Sequence, residues 1–279
     1  MLDLGWFSTG RDEAARLLLQ TVYQHIQSGN IPARLSFVFS NREPGESEQS
    51  DLFFKLVESY GIPLVCLSSK QFQKKLADKI EGTDPETGLP LWRLEYDRQV
   101  MRLLQGFKPD LCVLAGYMLI VGNEMCRQYN MINLHPAKPG GPKGTWQEVI
   151  WKLIEDKAKE TGVMMHLVTP QLDSGPVVTY CTFPIIGGQF DRLWQKLDNR
   201  SVADITREEG EQNELFQLIR QHGVARELPL IVTTLKALAE KKIAIKDGAV
   251  LDDQGRQIAG YDLTAEVNRM VQQNEVHRL

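Results

Sequence analysis

The N-terminal part of the chain alternates short apolar runs with segments whose apolar residues recur at helical spacing. Apolar runs at 4–8, 33–40 and 62–67 predict strands. Between them, 12–27 and 51–60 place apolar residues at intervals of three and four positions, which predicts two helices. Strand, helix, strand, helix and strand in this order predict a parallel sheet with right-handed crossovers.

The middle of the chain repeats this alternation around a nearly continuous apolar run. Residues 92–107 have helical spacing, and the run at 110–116 is typical of a central strand buried on both faces. Four further elements follow, namely a strand at 131–134, a helix at 145–156, and strands at 162–168 and 176–183. The pattern therefore predicts an α/β protein with a mostly parallel, Rossmann-like sheet.

The periodic pattern weakens after residue 187. Residues 211–241 have helical spacing that is interrupted at Pro229, and a proline at this position predicts a break in the helix. Residues 243–258 predict a hairpin that turns at 252–255. We therefore expect one domain over residues 1–187 and a smaller C-terminal extension over 188–279, with helices and a hairpin, packed on the same domain.

Composition excludes several classes of protein. The chain is 42% hydrophobic and 24% charged, as in ordinary globular proteins. A net charge of -4 gives no overall basic field for nucleic acid, and no run of about 20 apolar residues can span a membrane. The N-terminal segment lacks the regions of a signal peptide. We expect a cytoplasmic protein with small-molecule substrates and no nucleic-acid or membrane partner, and the sequence leaves a homodimer open.

The sequence predicts no metal site. Four cysteines, at positions 66, 112, 126 and 181, are scattered without a C-x-x-C pair, which favours buried free thiols over disulfides or a zinc site. His166 lies within an apolar strand, so we expect a hydrogen-bonded core residue rather than a ligand.

Three polar side chains follow predicted strands at the carboxyl edge of the sheet, where ligands bind in open α/β sheets. Asn133 and His135 end one strand, and Asp173 lies in the loop after another. A histidine can move a proton, a carboxylate can orient it, and an amide can donate to an oxygen that gains charge. Together they suit attack of an amine on a carbonyl. The alternative is a polar turn, in which Asp173 forms an Asx-turn and the other two bond to backbone.

Longer motifs around these residues match a known family in order and spacing. They are Val38-Phe39-Ser40-Asn41-Arg42, Tyr96-Asp97-Arg98, Lys108-Pro109-Asp110, Leu114-Ala115-Gly116-Tyr117-Met118, Asn133-x-His135-Pro136, Gly162-Val163-x-x-His166-x-Val168 and Leu172-Asp173-Ser174-Gly175-Pro176. The chain thereby resembles the folate-dependent formyltransferase family over residues 4–190. The resemblance is strongest to the branch that formylates 5'-phosphoribosylglycinamide in purine biosynthesis.

The resemblance implies a role for each of the three polar residues. Asn133 would hold the formyl oxygen of 10-formyltetrahydrofolate and then the oxyanion. His135 would help to bind that oxyanion and shuttle the proton, and Asp173 would orient His135 and assist proton transfer from the amine. This direct transfer needs no metal.

The resemblance also implies a folate pocket built from two loops. Residues 117–121 would line the pterin pocket, largely through backbone groups, and 168–172 would form the loop over it. The side chains or backbone groups expected to contact the folate belong to Tyr117, Met118, Leu119, Ile120, Val121, Val168, Gln171 and Leu172.

Two segments depart from the pattern of the family. The loop after the first strand carries Thr9, Gly10 and Arg11, followed by two acidic residues, where the family has a Gly-, Ser- and Asn-rich phosphate loop. The loop after His135 carries Lys138 and Lys143, which could meet a phosphate or the folate tail, or be solvated. Formyl transfer to another small amine or amino sugar, formyltetrahydrofolate hydrolysis, and folate binding without catalysis therefore stay open.

Overall fold

The computed structural model describes residues 1–76, 80–198 and 200–276. The chain divides into two compact units, which are described separately. The first unit comprises Met1–Asn133, His166–Pro176 and Leu235–Gln257, and the second comprises Leu134–Met165, Val177–Thr234 and the described residues from Ile258 onward. The units interleave along the sequence, and the domain boundary expected at residue 187 stays a prediction.

Helices and strands alternate through the first two thirds of the chain. In chain order they are β1 (Leu2–Phe7), α1 (Glu13–Gln27), β2 (Ala33–Ser40), α2 (Glu48–Ser59), β3 (Leu64–Cys66), α3 (Ser69–Leu76), α4 (Leu91–Leu104), β4 (Leu111–Leu114), α5 (Asn123–Gln128), β5 (Met131–His135), α6 (Trp146–Glu155), β6 (Glu160–Leu167) and β7 (Val177–Pro184). The C-terminal part is mainly helical, with α7 (Gln189–Leu197), α8 (Val202–Glu208), a 3-10 turn (Gly210–Gln212), α9 (Glu214–Ala239), β8 (Ile243–Lys246), β9 (Ala249–Asp252), β10 (Tyr261–Asp262) and α10 (Thr264–Val276).

A parallel sheet organises the first unit, in the order β3-β2-β1-β4-β5. The chain moves outward from β1 to β3 and then returns to place β4 on the other side of β1. The strand order therefore reverses between β1 and β4, and ligands bind at such a reversal, outside the carboxyl ends of the strands. The α/β, mostly parallel fold predicted from the sequence is confirmed.

Aromatic packing fixes the loop that follows β4. The Phe7 ring lies 5.2 Å from the Phe39 ring and 5.6 Å from the Tyr117 ring, centroid to centroid. All three belong to one buried cluster with β-strand and α4 side chains. Tyr117 is thus anchored in the core, so the residues after it start from a fixed point at the carboxyl end of β4.

The second unit contains β7 and β10, which are parallel, with Tyr261 opposite Thr179. Helix α6 begins at a capping box in which Thr145 and Glu148 satisfy each other's backbone N–H groups. The Trp151 ring packs 4.7 Å from the Phe216 ring of α9. The apolar face of α6, formed by Val149, Ile150, Leu153 and Ile154, is buried.

Two predictions for the C-terminal part are wrong. Helix α9 continues through Pro229 instead of breaking there. A proline inside a helix costs about 3 kcal/mol, but residues 230–232 directly after it are buried, and each buried aliphatic side chain contributes about 1.5–3 kcal/mol. The paired strands β8 and β9 connect at Asp247–Gly248, where both residues have positive φ, and not at 252–255. Residues 252–255 form a second turn, after which Gln257 pairs with Leu251 in an isolated antiparallel bridge. Asp-Gly is the pair that a two-residue hairpin turn favours.

Gly10 should tolerate no side chain. Its φ is +62°, and a Cβ at this position would lie 2.8 Å from the Phe53 ring. Gly29 has a similar φ of +75° but no atom within 4 Å. We expect Gly10→Ala to lower the free energy of unfolding by about 2–4 kcal/mol, and Gly29→Ala by only about 1–2 kcal/mol, since it lacks the steric overlap. Urea denaturation of both variants checks this. Equal losses would contradict the packing of Gly10 against Phe53.

Candidate active site

Asn133, His166 and Asp173 meet at the carboxyl edge of the first unit. His166 Nε2 lies 3.4 Å from Asn133 Nδ2 and also 3.4 Å from Asp173 Oδ1. The side chains of His166 and Asp173 are 3% and 5% exposed. The structure thus brings together two of the three predicted catalytic residues through a histidine that the sequence analysis treated as core.

Hydrogen bonding restricts the protonation states of His166. Its Nδ1 lies 2.8 Å from the carbonyl oxygen of Leu167, and a carbonyl only accepts, so Nδ1 carries a hydrogen. The neutral ring then leaves Nε2 as an acceptor for the Asn133 amide. The protonated ring would instead donate Nε2–H toward Asp173. Nε2 thus lies within 3.4 Å of both the Asn133 amide and the Asp173 carboxylate.

A tight loop after β6 presents Asp173. The residue has a φ of +47°, in the left-handed region that Asp tolerates better than most residues. The loop closes against the strand end, since the N–H of Leu167 donates to the carbonyl of Pro176 at 2.8 Å. A Cβ at Gly175 would lie 1.8 Å from Leu167 O, so only glycine allows this approach. The Asp173-x-Gly175 spacing seen in the sequence is therefore required by the backbone.

His135 is the last residue of β5 and belongs to the second unit. Its side chain is buried, and Nε2 lies 2.9 Å from the carbonyl oxygen of Pro142. Because a carbonyl only accepts, Nε2 carries the hydrogen in this contact. The Pro- and Gly-rich loop at 136–144 thus folds back on the histidine and fixes its ring.

The two predicted folate loops expose apolar side chains. Met118, Ile120 and Leu172 are 50%, 36% and 53% exposed. In contrast, Tyr117 and Val121 point into the core, where Leu119 and Val168 pack against the same cluster, and Gln171 is exposed. The loops at 117–121 and 168–172 therefore pack on the same buried cluster and leave apolar groups exposed at the carboxyl edge. A flat heterocycle would require such an apolar surface.

Thr9 orders the loop that follows β1. This residue is buried, and its hydroxyl donates to Asn41 Oδ1 at 2.7 Å and accepts from the N–H of Met118 at 3.1 Å. Gly10 follows with its positive φ, and Arg11 is half-exposed with Nε 3.2 Å from Asp12 Oδ2. One hydroxyl thus connects the loop after β1 to the loop after β4.

A carboxylate occupies the start of α1. Asp12 Oδ1 accepts from the N–H of Ala15 at 3.0 Å, as an N-cap residue does. Glu13 adds a second negative charge in the first turn. A phosphate would normally find this helix end favourable, but here two carboxylates compete for the same positive potential.

The loop lysines differ in their surroundings. Lys138 Nζ lies 2.9 Å from Glu160 Oε1, so its charge is already partnered in the second unit. Lys143 is exposed in the loop that follows Pro142. A substrate anion would have to compete with Glu160 for Lys138.

The cysteines are free thiols at all four positions. Burial raises the pKa of Cys66 and of Cys126 to about 12, and the pKa of Cys181 to about 11. These thiols stay protonated near neutral pH and are poor nucleophiles.

Within the described ranges, no group of three or more His, Cys, Asp or Glu side chains could hold a metal ion, and no helix is long and apolar enough to cross a membrane.

Comparison with known proteins identifies the family. The formyl transferase family model matches residues 14–200, more than half of the chain, and this protein belongs to that family. Phosphoribosylglycinamide formyltransferase of Escherichia coli is 32% identical over 98 residues, which are 34% of this chain and 45% of that one. The Haemophilus influenzae enzyme of the same name is 28% identical over 169 residues, covering 60% and 68%. The match thus spans about half of the first relative and two thirds of the second.

Solved structures share the fold. Phosphoribosylglycinamide formyltransferase from Coxiella burnetii superposes with a TM-score of 0.64 at 19% identity, covering 94% of this chain and 98% of that one. A formyltetrahydrofolate deformylase from Pseudomonas syringae gives 0.57 at 18% identity, covering 90% and 65%. At these identities the comparison concerns the fold alone, and the same fold serves proteins named for transfer and for deformylation.

Proposed function

We propose that this protein transfers a formyl group from 10-formyltetrahydrofolate to the primary amine of 5'-phosphoribosylglycinamide. The contact of Asn133, His166 and Asp173 at the carboxyl edge of a formyl transferase fold carries the proposal. The names of the relatives support the acceptor, and the exposed apolar side chains of the two folate loops support the donor. We place the reaction in the cytoplasm.

In the proposed mechanism the amine attacks the formyl carbon directly. Asn133 donates from its amide to the carbonyl oxygen, and the interaction strengthens as that oxygen becomes an oxyanion. His135 belongs to the second unit and donates its Nε2–H to the Pro142 carbonyl, so its part in binding the oxyanion stays a prediction. The free amine attacks, its nitrogen becomes positively charged as the bond to the formyl carbon forms, and Asp173 accepts the proton that this nitrogen then loses. His166, whose Nε2 lies 3.4 Å from Asp173 Oδ1, orients the carboxylate. The proton then reaches the departing nitrogen of the folate, so the products are tetrahydrofolate and a formylated amine.

A small amine without a phosphate is the second candidate acceptor. The observation that favours it is the pair of carboxylates, Asp12 and Glu13, at the start of α1. A cationic or neutral acceptor would avoid their repulsion of a phosphate. The folate chemistry would be the same.

Turnover with purified protein separates these functions. The assay follows tetrahydrofolate release from 10-formyltetrahydrofolate with 5'-phosphoribosylglycinamide, with a panel of unphosphorylated amines and amino sugars, and without acceptor. Release that depends on the phosphorylated acceptor supports the proposal. Release only with another amine supports the second candidate, release without acceptor indicates hydrolysis, and folate binding without release indicates a non-catalytic protein. Light scattering on the same sample decides between a monomer and a homodimer.

Arg11→Ala should weaken the binding of a phosphorylated acceptor without affecting the chemical step. Arg11 is half-exposed beside the Thr9–Gly10 loop, and its guanidinium can reach an anion that displaces it from Asp12. We expect KM for the phosphorylated acceptor to rise about tenfold with kcat within twofold. The control is Arg34→Ala, because Arg34 is an exposed arginine at the N-terminal end of β2. An unchanged KM would assign the phosphate to other groups.

A further inference from the structure

Side chains outside the loop at 117–122 hold three of its backbone atoms. Thr9 Oγ1 accepts from the N–H of Met118 at 3.1 Å. Arg93 Nη2 donates to the carbonyl of Ile120 at 2.7 Å, and Asp97 Oδ2 accepts from the N–H of Gly122 at 2.7 Å. The backbone is thus fixed at alternate residues from its start to its end, and two of the three contacts come from one helix, α4.

Arg93 and Asp97 form a buried ion pair one helical turn apart. Arg93 Nη2 lies 2.9 Å from Asp97 Oδ1, and the side chains are 5% and 2% exposed. The guanidinium lies over the Tyr96 ring at 5.0 Å, while Nη1 is buried without a hydrogen-bond partner among the described residues. Burial raises the pKa of Asp97, and the charge of Arg93 opposes that rise. Burial therefore outweighs the arginine, and the pKa of Asp97 stays above its usual range.

Such a pair is a poor device for stability alone. Desolvation of two charges often cancels their attraction, so apolar residues of similar size commonly stabilise a core as well or better. What apolar residues cannot do is accept from one backbone N–H and donate to a carbonyl two residues earlier. The role of the pair is therefore to hold these two backbone groups in place rather than to add net stability.

Close packing of Gly122 against α4 makes the arrangement specific. A Cβ on Gly122 would lie 2.6 Å from Leu94 Cδ2 and 3.1 Å from Asp97 Oδ2, although the backbone φ is ordinary. A larger residue at position 122 would have to displace the end of the Leu94 side chain and would crowd the Asp97 carboxylate. The loop, the glycine and the ion pair thus depend on one another.

We propose that Arg93 and Asp97 are positioning residues for folate binding. By fixing Ile120 O and Gly122 N, the pair presets the backbone and the exposed side chains of Met118 and Ile120 for the flat heterocycle of the folate, which reduces the ordering cost of binding. Neither residue takes part in proton transfer. This inference rests on the proposed function, because it concerns the folate side of the same site.

Equilibrium binding of tetrahydrofolate, measured by calorimetry under reducing conditions, tests the inference directly. We expect Asp97→Ala to weaken binding about tenfold, the scale on which supporting residues of a site act. Asp97→Asn keeps an oxygen that can accept from Gly122 and should recover part of this loss. In turnover, KM for the donor should rise while KM for the acceptor stays within twofold. A merely structural role would change both constants or neither.

Hydrogen exchange in the ligand-free protein supplies a readout that needs no activity. The amide of Gly122 should exchange faster in Asp97→Ala than in the wild type, because its acceptor is gone. Glu227→Gln is the matched control, since it breaks the shielded Arg220–Glu227 pair of α9, which has a 2.6 Å contact. It should lower the melting temperature but leave folate affinity and Gly122 exchange unchanged.

The outcomes are distinct. A wild-type protein that binds no tetrahydrofolate overturns the proposed function and this inference with it. A wild type that binds, with an Asp97→Ala variant that folds and binds equally, overturns the inference alone. Equal weakening by Glu227→Gln would also overturn it, since general destabilisation would then explain the effect. If Asp97→Ala does not fold, Asp97→Asn decides by the same two measurements, with an expected intermediate loss of affinity.

Discussion

Asn133→Ala is expected to lower kcat by about a hundredfold or more, which corresponds to about 2.7 kcal/mol of lost transition-state stabilisation. The amide is the neutral donor of the cluster, and its Nδ2 is oriented by His166 Nε2 at 3.4 Å. A donor that acts on a developing oxyanion contributes most in the transition state, so KM for the folate should change little.

Asn213→Ala is the matched control for this prediction. Asn213 is also a buried asparagine, but its Oδ1 accepts from the N–H of Phe216 at the start of α9. Its replacement should cost about 1 kcal/mol of stability, as the loss of a cap does, and leave kcat unchanged. If Asn133→Ala kept wild-type kcat, the oxyanion would have to be bound by another donor, and the assigned role of Asn133 would be wrong.

Asp173→Asn should also lower kcat, by about a hundredfold, the lower end of what positioned acid–base groups contribute. The substitution keeps the size of the side chain but removes the capacity to accept the proton of the amine. It also removes the charge that faces His166 Nε2 at 3.4 Å. Steady-state kinetics over a range of pH should show the loss at every pH where the wild type turns over.

Two further variants test whether the loss of kcat is specific to the Asp173 carboxylate. Asp191→Asn changes a carboxylate that accepts from the N–H of Gly187 outside the site, and we expect wild-type kcat. His166→Gln should lower kcat less than Asp173→Asn does, since it removes the orienting group and keeps the base. An Asp173→Asn variant with wild-type kcat would assign proton transfer to another group, of which His135 is the first to examine.

The sheet of the first unit could be predicted because its central strand is buried on both faces and is therefore apolar at every position. Residues 111–114 are apolar throughout and buried throughout, so a continuous apolar run identified them as a central strand. Helix α3, in contrast, is short and mainly polar, with no fully buried residue, although its Phe72 ring packs 5.3 Å from the Tyr96 ring. Its eight residues include only two apolar side chains, Phe72 and Leu76, which is too few to predict a helix from spacing.

The C-terminal errors have local causes. Pro229 lies within a helix whose flanking residues are buried, so tertiary packing outweighs a local penalty that the sequence alone displays. The hairpin contains two turn-like segments, Asp247–Gly248 and Asp252–Gly255, and the second has more turn residues. The first forms the two-residue connection because its positive φ values match the twist of the paired strands.

The candidate site was only partly visible in the sequence. Asn133, His135 and Asp173 were found because they follow apolar strands and match a family motif. The part played by His166 could not be seen, since an isolated histidine in an apolar strand is most simply a core residue. Its contacts with Asn133 and Asp173 join positions that are 33 and 7 residues away in the chain, and only the folded backbone brings the three together.

Product analysis with labelled donor tests the central claim most directly. Protein is incubated with 10-formyltetrahydrofolate carrying ¹³C in the formyl group, together with 5'-phosphoribosylglycinamide, and the products are separated and analysed by mass spectrometry. We expect the label to appear in the N-formyl group of the acceptor at enzymatic rates, and Asn133→Ala to slow its appearance about a hundredfold. Label found only in formate, or left in the folate while the protein binds it, would contradict transfer to this amine.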